Sequence, residues 1–227
     1  MKILLTTSLV LSLSFVSFIE KTAMLIDQSK VTYQIGENKK LNGLYTIEDQ
    51  QKNIRIRGNY KENKRIGDWY CFDAKGQTVL RYNYTTQKIL TLDQESIATV
   101  DIKVLSNDTE VNDNATVAIP ICSIDQYKKI LIAELKDQMP PKDKSEAAKV
   151  TASITALVDK DGKAKYIATY ILDQVTHQST LFLKDKVFNI EWLPAKYKGQ
   201  SYSAEVKFET AFKIDPSAGT RRFIWNY

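Results

Sequence analysis

The side chains in this chain that are able to do acid–base, nucleophilic or metal chemistry are few and scattered. The only histidine, His177, stands among neutral polar residues, and an isolated loop histidine is more often a solvated polar group than a general base. Asp159-Lys160-Asp161-Gly162 has the opening spacing of a calcium loop, but Lys163, Ala164 and Tyr170 stand where later ligands and the turn glycine belong, so it reads as a tight turn. No glycine-rich phosphate loop, nucleophile elbow or Cys/His ligand spacing is present. These residues imply no catalytic group, no metal and no cofactor: a protein that binds rather than converts.

What the chain has in quantity is aromatic rings among cations. Tyr33, Tyr45, Tyr60, Trp69, Tyr70, Tyr82 and Tyr84 lie among Lys39, Lys40, Arg55, Arg57, Lys64, Arg65 and Arg81. On a sheet such a set can stack sugars or bases between positive charges. Equally, alternate rings pack the sheet while the cations coat its outer face. Residues 30–90 hold twice as many Lys and Arg as Asp and Glu, whereas 93–123 are strongly acidic. The arrangement fits two solvated faces of opposite sign, or a surface for nucleic acid or anionic lipid.

The elements that carry these rings come from an internal duplication. Glu37-Asn38-Lys39-Lys40-Leu41 recurs as Glu62-Asn63-Lys64-Arg65-Ile66, and Gly43, Tyr45, Asp49, Arg57, Asn59 and Tyr60 recur as Gly67, Trp69, Asp73, Arg81, Asn83 and Tyr84. A short period with an aromatic after a glycine and a turn after an Asp predicts stacked β-hairpins. The segment from Gly58 to Gly76 resembles the MORN-type repeat, in the bacterial variant found near toxin–antitoxin systems. The first copy departs from it, with Tyr45 for the Trp and Lys52 where the second has Gly76. The resemblance implies a scaffold, with Trp69 in its packing, and not an activity.

At the N-terminus, Lys2 precedes an apolar stretch from Ile3 to Ile19 that ends at Glu20-Lys21. This is the profile of a signal peptide over residues 1–22, cleaved between 17 and 23 and leaving no stable membrane span. A retained anchor and a buried cytosolic helix are the alternatives. Export gives a periplasmic or secreted protein and argues against nucleic acid as a partner. It also allows Cys71 and Cys122 to pair across a loop of about 50 residues. The other reading is two buried thiols, which the shared strand face of Trp69 and Cys71 favours.

Beyond a hairpin repeat region at 28–92, Ile97–Leu105 and Thr116–Ile121 read as a connecting hairpin within 93–123. Ser123 with Gln126 forms a capping box, and Ile124, Tyr127, Ile130, Leu131 and Leu135 predict a helix over about 124–138. Strict alternation from Val150 to Val158, the turn at Asp159–Gly162, a return through Tyr166–Leu172, a helix near Leu181–Phe188 and a strand over Tyr202–Ile214 follow. This stretch, with Trp192-Leu193-Pro194-Ala195 and Lys198-Gly199-Gln200, resembles the C-terminal domain of TonB-type proteins. Its pairing with a MORN-type repeat resembles exported proteins of Bacteroidota.

The fold expected is therefore α+β: MORN-like antiparallel hairpins, then an α-β-β-α-β TonB-like domain over 124–215 with a three-stranded antiparallel sheet, and a tail at 216–227. The resemblance places the last strand at an edge. Its outward set, Ser203, Glu205, Lys207, Glu209 and Lys213, becomes a candidate partner-binding face for strand addition. The expected function is a non-enzymatic interaction module of the bacterial envelope contacting a protein partner. The alternatives are a glycan or anionic-polymer binder using the basic aromatic repeat and, if the leader is retained, a cytosolic antitoxin-like protein. Partner identity and oligomeric state stay open.

Overall fold

In the computed structural model, residues 18–139, 149–183 and 187–214 are described. The apolar leader up to residue 17, the charged linker at 140–148 and the tail at 216–227 lie outside them. The duplicated region forms one seven-stranded antiparallel meander: β1 (Ile19–Met24), β2 (Lys30–Ile35), β3 (Leu41–Glu48), β4 (Ile54–Lys61), β5 (Lys64–Phe72), β6 (Thr78–Asn83) and β7 (Lys88–Leu92), in sequence order. The Asp-initiated turns predicted from the repeat form as expected. Asp49 Oδ1 accepts from Gln51 N and Asn53 N, and Asp73 Oδ1 from Lys75 N and Gln77 N. The fourth residue of each turn is left-handed, Lys52 at φ 65° and Gly76 at φ 78°.

The repeat also explains how successive hairpins dock. Glu62 in the β4–β5 turn accepts from Asn38 and Lys40 Nζ in the preceding copy's turn and from Asn42 at the start of β3, and Asn63 Oδ1 accepts from Leu41 N. Inside the sheet, Trp69 is fully buried over Gly58, between the rings of Tyr45, Tyr60 and Tyr84. Gly58 is a glycine because a Cβ there would stand 2.2 Å from the indole.

A second sheet has six strands: β8 (Asp101–Leu105), β10 (Lys149–Val158), β11 (Ala164–Leu172), β12 (Val175–Leu181), β14 (Ala195–Tyr197) and β15 (Gln200–Lys213). Its order runs β12-β11-β10-β15-β14, with β8 beside β15, and β9 (Ile119–Pro120) pairs with β13 (Trp192–Leu193). Three helices complete the description, α1 (Gln94–Ile97), α2 (Thr109–Asn114) and α3 (Ile124–Gln138). The helix expected over 124–138 is α3. Ser123 caps it by accepting from Gln126 N at 3.2 Å, while the Gln126 amide, which a full capping box would return to the backbone, is buried without a hydrogen-bond partner among the described residues. Tyr127 of α3 stacks edge-on against Phe208 and Trp192, and one core cluster spans both sheets and α3.

The α+β expectation with a three-stranded sheet is overturned. Strands hold 54% of the described residues and helices 14%, in sheets of seven and six strands. Three local misreadings account for it. The helix expected at Leu181–Phe188 begins instead as the end of β12, an edge strand whose polar residues hide its period; residues 184–186 lie outside the described set. The connecting hairpin does not form, since β8 joins β15 and Ile119–Pro120 joins Trp192–Leu193. The polar stretch between them folds into α2, capped by Asp108, whose side chain accepts from Glu110 N. The last strand is an edge over only part of its length: β10 pairs with 204–213, β8 with 203–207 and β14 with 200–202, so 204–207 have a strand on each side.

Candidate functional site

Where the inner face of the meander meets the second sheet, a cleft of about 1160 Å³ opens. Its meander wall comes from Tyr33 and Ile35 of β2, Leu41 of β3, Tyr60 of β4 and Tyr84; its opposite wall from Tyr166 of β11 and the Val187–Glu191 segment. Lysines 21, 39, 64 and 163 stand at this cleft. All four are exposed and have no ion-pair partner among the described residues. Glu37 and Glu191 are the acids of the lining, and Glu191 is engaged by Arg65 at 3.4 Å.

Arg65 organises this wall. It lies 4.3 Å over the Trp69 ring, donates to Tyr60 Oη at 3.1 Å and to Tyr84 Oη at 2.9 Å, and keeps only 9% of its side chain exposed. Burial works against its charge, but Tyr84, Tyr60 and Glu191 outweigh burial and hold the guanidinium above its ordinary range. Burial likewise pushes the Tyr84 hydroxyl up. Both groups therefore keep their protons at any ordinary pH, and the wall presents fixed donors rather than an acid–base pair. Tyr45, the first copy's counterpart of Trp69, donates to the Val187 carbonyl at 2.9 Å and so fixes the opposite wall to the sheet.

A second buried cation, Arg55, closes the other end of the interface. It is 2% exposed and donates to Phe72 O, Asp49 Oδ2, Ser123 Oγ and Asp125 Oδ2, joining the meander to the start of α3. Expecting the cations of the repeat to coat its outside is thus wrong for Arg55 and Arg65. Arg65 turns inward because it shares the strand face of Trp69, and Arg55 because it falls at the bulge where β4 slips against β3 between Ile54 and Ile56; carboxylates and hydroxyls from other segments receive both. It holds for Arg57 and Arg81, on the outer face on either side of Tyr70, where Asp68 accepts from Arg81 and Asn83.

Cys71 and Cys122 are both free and fully buried. Burial pushes the Cys71 thiol up to about 12 and raises the Cys122 thiol as well, with Cys71 among the neighbours that act on it. Neither is a thiolate nucleophile at neutral pH. His177 lies on β12 with its ring stacked on Tyr170 at 5.0 Å, and no group of three His, Cys, Asp or Glu able to hold a metal occurs among the described residues. The candidate partner face is divided by the sheet. Ser203, Glu205 and Lys207 face Leu105, Lys103 and Asp101 of β8, while Glu209 and Lys213 lie beyond β8 opposite Ser153 and Lys149 of β10.

The sequence indicated the meander wall, through Tyr33, Lys39, Tyr60, Lys64, Arg65 and Tyr84. It gave no hint that Lys163, Tyr166 and the Val187–Glu191 segment complete the site, because that juxtaposition is set by tertiary packing between segments far apart in sequence, or that Lys21, within the stretch read as a leader, pairs with Tyr33 in β1. No family model, curated protein or solved structure matches this chain. The MORN-type and TonB-type resemblances accordingly rest on the residues quoted for them.

Proposed function

We propose that this chain is a non-enzymatic, exported binding protein of the bacterial envelope that holds an anionic glycan in the cleft between its sheets. The observation that carries the reading is the set of four exposed lysines, without an ion-pair partner among the described residues, around a wall of tyrosines and aliphatics. Tyrosine rings give sugar faces an apolar platform, and lysine ammonium groups meet carboxylates as mobile point charges. The protonated thiols and proton-locked Arg65–Tyr84 pair suit recognition better than turnover. Last-strand addition loses its basis between 203 and 207, where β8 occupies the edge.

Titration calorimetry with an oligogalacturonate, its neutral methyl ester and poly-glutamate tests this. The acid oligosaccharide is expected to bind, with affinity falling as salt rises and falling about tenfold or more in the Lys39→Glu/Lys64→Glu double variant. Equal binding of the neutral ester, or undiminished binding by the double variant, overturns the reading. Preference for poly-glutamate moves the ligand to the acidic-protein class.

A further inference from the structure

At the far end of the second sheet, β12 presents its outer edge with no partner strand among the described residues. From Gln174 to Leu183 the chain contains no charged residue, no proline and no glycine. The other edge-forming strands are guarded: β1 carries Glu20 and Lys21, β7 carries Lys88, β14 carries Lys196, and β8 carries Asp101 and Lys103. Folded proteins ordinarily blunt a solvent-facing edge with such charges, because unpaired backbone groups template pairing with another chain. β12 has no such protection. Large apolar side chains cluster around it instead, with Val175 55%, Ile171 48% and Phe182 66% exposed.

We propose that β12 pairs antiparallel with β12 of a second copy of this chain, about a twofold axis at Gln178, joining the two six-stranded sheets into one. The sequence of the strand is the reason for choosing a second copy over another partner. Val175-Thr176-His177-Gln178-Ser179-Thr180-Leu181 reads alike in both directions by residue type. Centred on Gln178, Val175 opposes Leu181, Thr176 opposes Thr180, and His177 opposes Ser179, so apolar meets apolar and hydroxyl meets hydroxyl.

Other registers fail on simple grounds. A twofold pairing that keeps the sheet faces continuous must oppose residues of the same alternation, because a one-residue slip exchanges the two faces. Shifting the centre to His177 sets Leu181 against Asp173 and Val175 against Ser179. Moving it to Ser179 sets Leu181 against His177 and Phe182 against Thr176. In the Gln178-centred register the outer face continues rows already present in the sheet, Thr180–Ile167–Thr155 and Thr176–Ile171–Thr151. Exposed Ile171 and Val175 then lie beside the new seam and lose solvent on pairing.

Sedimentation velocity of the full chain, from about 1 to 100 μM, is the test, since even a micromolar dimer populates within that range. The parent is expected to shift from monomer to dimer as concentration rises. Gln178→Lys and Gln178→Glu, each opposing its own like charge across the axis, should weaken dimerisation about tenfold or more. An equimolar mixture of the two should recover the dimer, and circular dichroism shows whether each variant has kept its fold; Gln178→Arg with Gln178→Asp supplies the same mixing test if either has not. A parent that stays monomeric at the highest concentration, a Gln178→Lys dimer as tight as the parent's, or a mixture that fails to recover the dimer would each overturn the pairing.

Discussion

Replacing Gly58 by alanine tests the central packing claim, because two general effects oppose each other there. A glycine-to-alanine change in ordinary extended backbone stabilises by about 0.4–1 kcal/mol through the unfolded chain, and Gly58 does not lie in the left-handed region. Against this, the new Cβ would stand 2.2 Å from Trp69 Cδ2, 2.3 Å from Cε2 and 2.6 Å from Cγ, where carbon atoms prefer about 3.5–4.0 Å. The ring would have to move by more than an ångström. Tyr45, Tyr60 and Tyr84 hold it at centroid distances of 5.6, 5.2 and 5.8 Å, and Arg65 lies 4.3 Å above it. Overpacking of this kind costs about 1–3 kcal/mol, and a ring so enclosed belongs at the upper end. The net loss expected is about 2 kcal/mol, a fall in melting temperature of about 4–8 °C for a chain of this size. Trp69→Ala alone should cost about 3–5 kcal/mol. In the Trp69→Ala background the clash is gone, so Gly58→Ala should become neutral or stabilising, a coupling of about 2–3 kcal/mol in a urea-monitored double-mutant cycle. A Gly58→Ala protein that melts at or above the parent, or one that loses the same free energy with and without Trp69, would refute the packing argument.

The first repeat carries a correctable defect: Lys52 occupies at φ 65° the turn position that Gly76 fills in the second copy and Gly162 in the Asp159 turn. Lys52→Gly should raise stability by about 0.5–1 kcal/mol, since a left-handed side chain costs about 1–2 kcal/mol and glycine returns part of that as unfolded-state entropy; a lower urea midpoint would show the strain absent. On the export reading, the mature N-terminus is expected at Phe18. Ile19–Met24 pairs with Ile35–Lys30 as β1, so cleavage after Ser17 preserves that strand whereas cleavage after Ala23 removes it. Intact-mass measurement of the natively produced protein decides this, and a mass beginning at Met1 or Met24 would contradict it.

The parts of this fold that were legible in sequence are those whose burial is settled locally. The repeat announced its hairpins because each copy carries its own turn, Asp49 or Asp73, and its own ring, Tyr45 or Trp69. Helix α3 was legible because one face of it is buried along its whole length, as were β10 and β11, whose inner residues, Val150 to Val158 and Tyr166 to Leu172, are covered by the same core. What failed was pairing at a distance. Nothing in Asp101–Leu105 says that its partner is Ser203–Lys207, and nothing near Lys163 says that it shares a cleft with Lys39 and Lys64. Sheet order is chosen by which surfaces fit after collapse, and a strand's own pattern reports only whether its faces are wet or dry.

That distinction gives the misread strand its meaning. β12 escaped notice because alternation is produced by burial, and most of its residues are uncovered, with Leu181 alone fully buried. A strand protected by design against pairing would still have shown its charges, as β1 and β7 do. β12 shows neither the alternation of a covered strand nor the charges of a guarded one, a combination consistent with a strand whose second neighbour belongs to another molecule. If the Gln178 mixing experiment recovers a dimer, the neutral run from Gln174 to Leu183 becomes readable as an interface in the sequence itself. The signal would then be the absence of charge on an edge that the described residues leave without a partner strand.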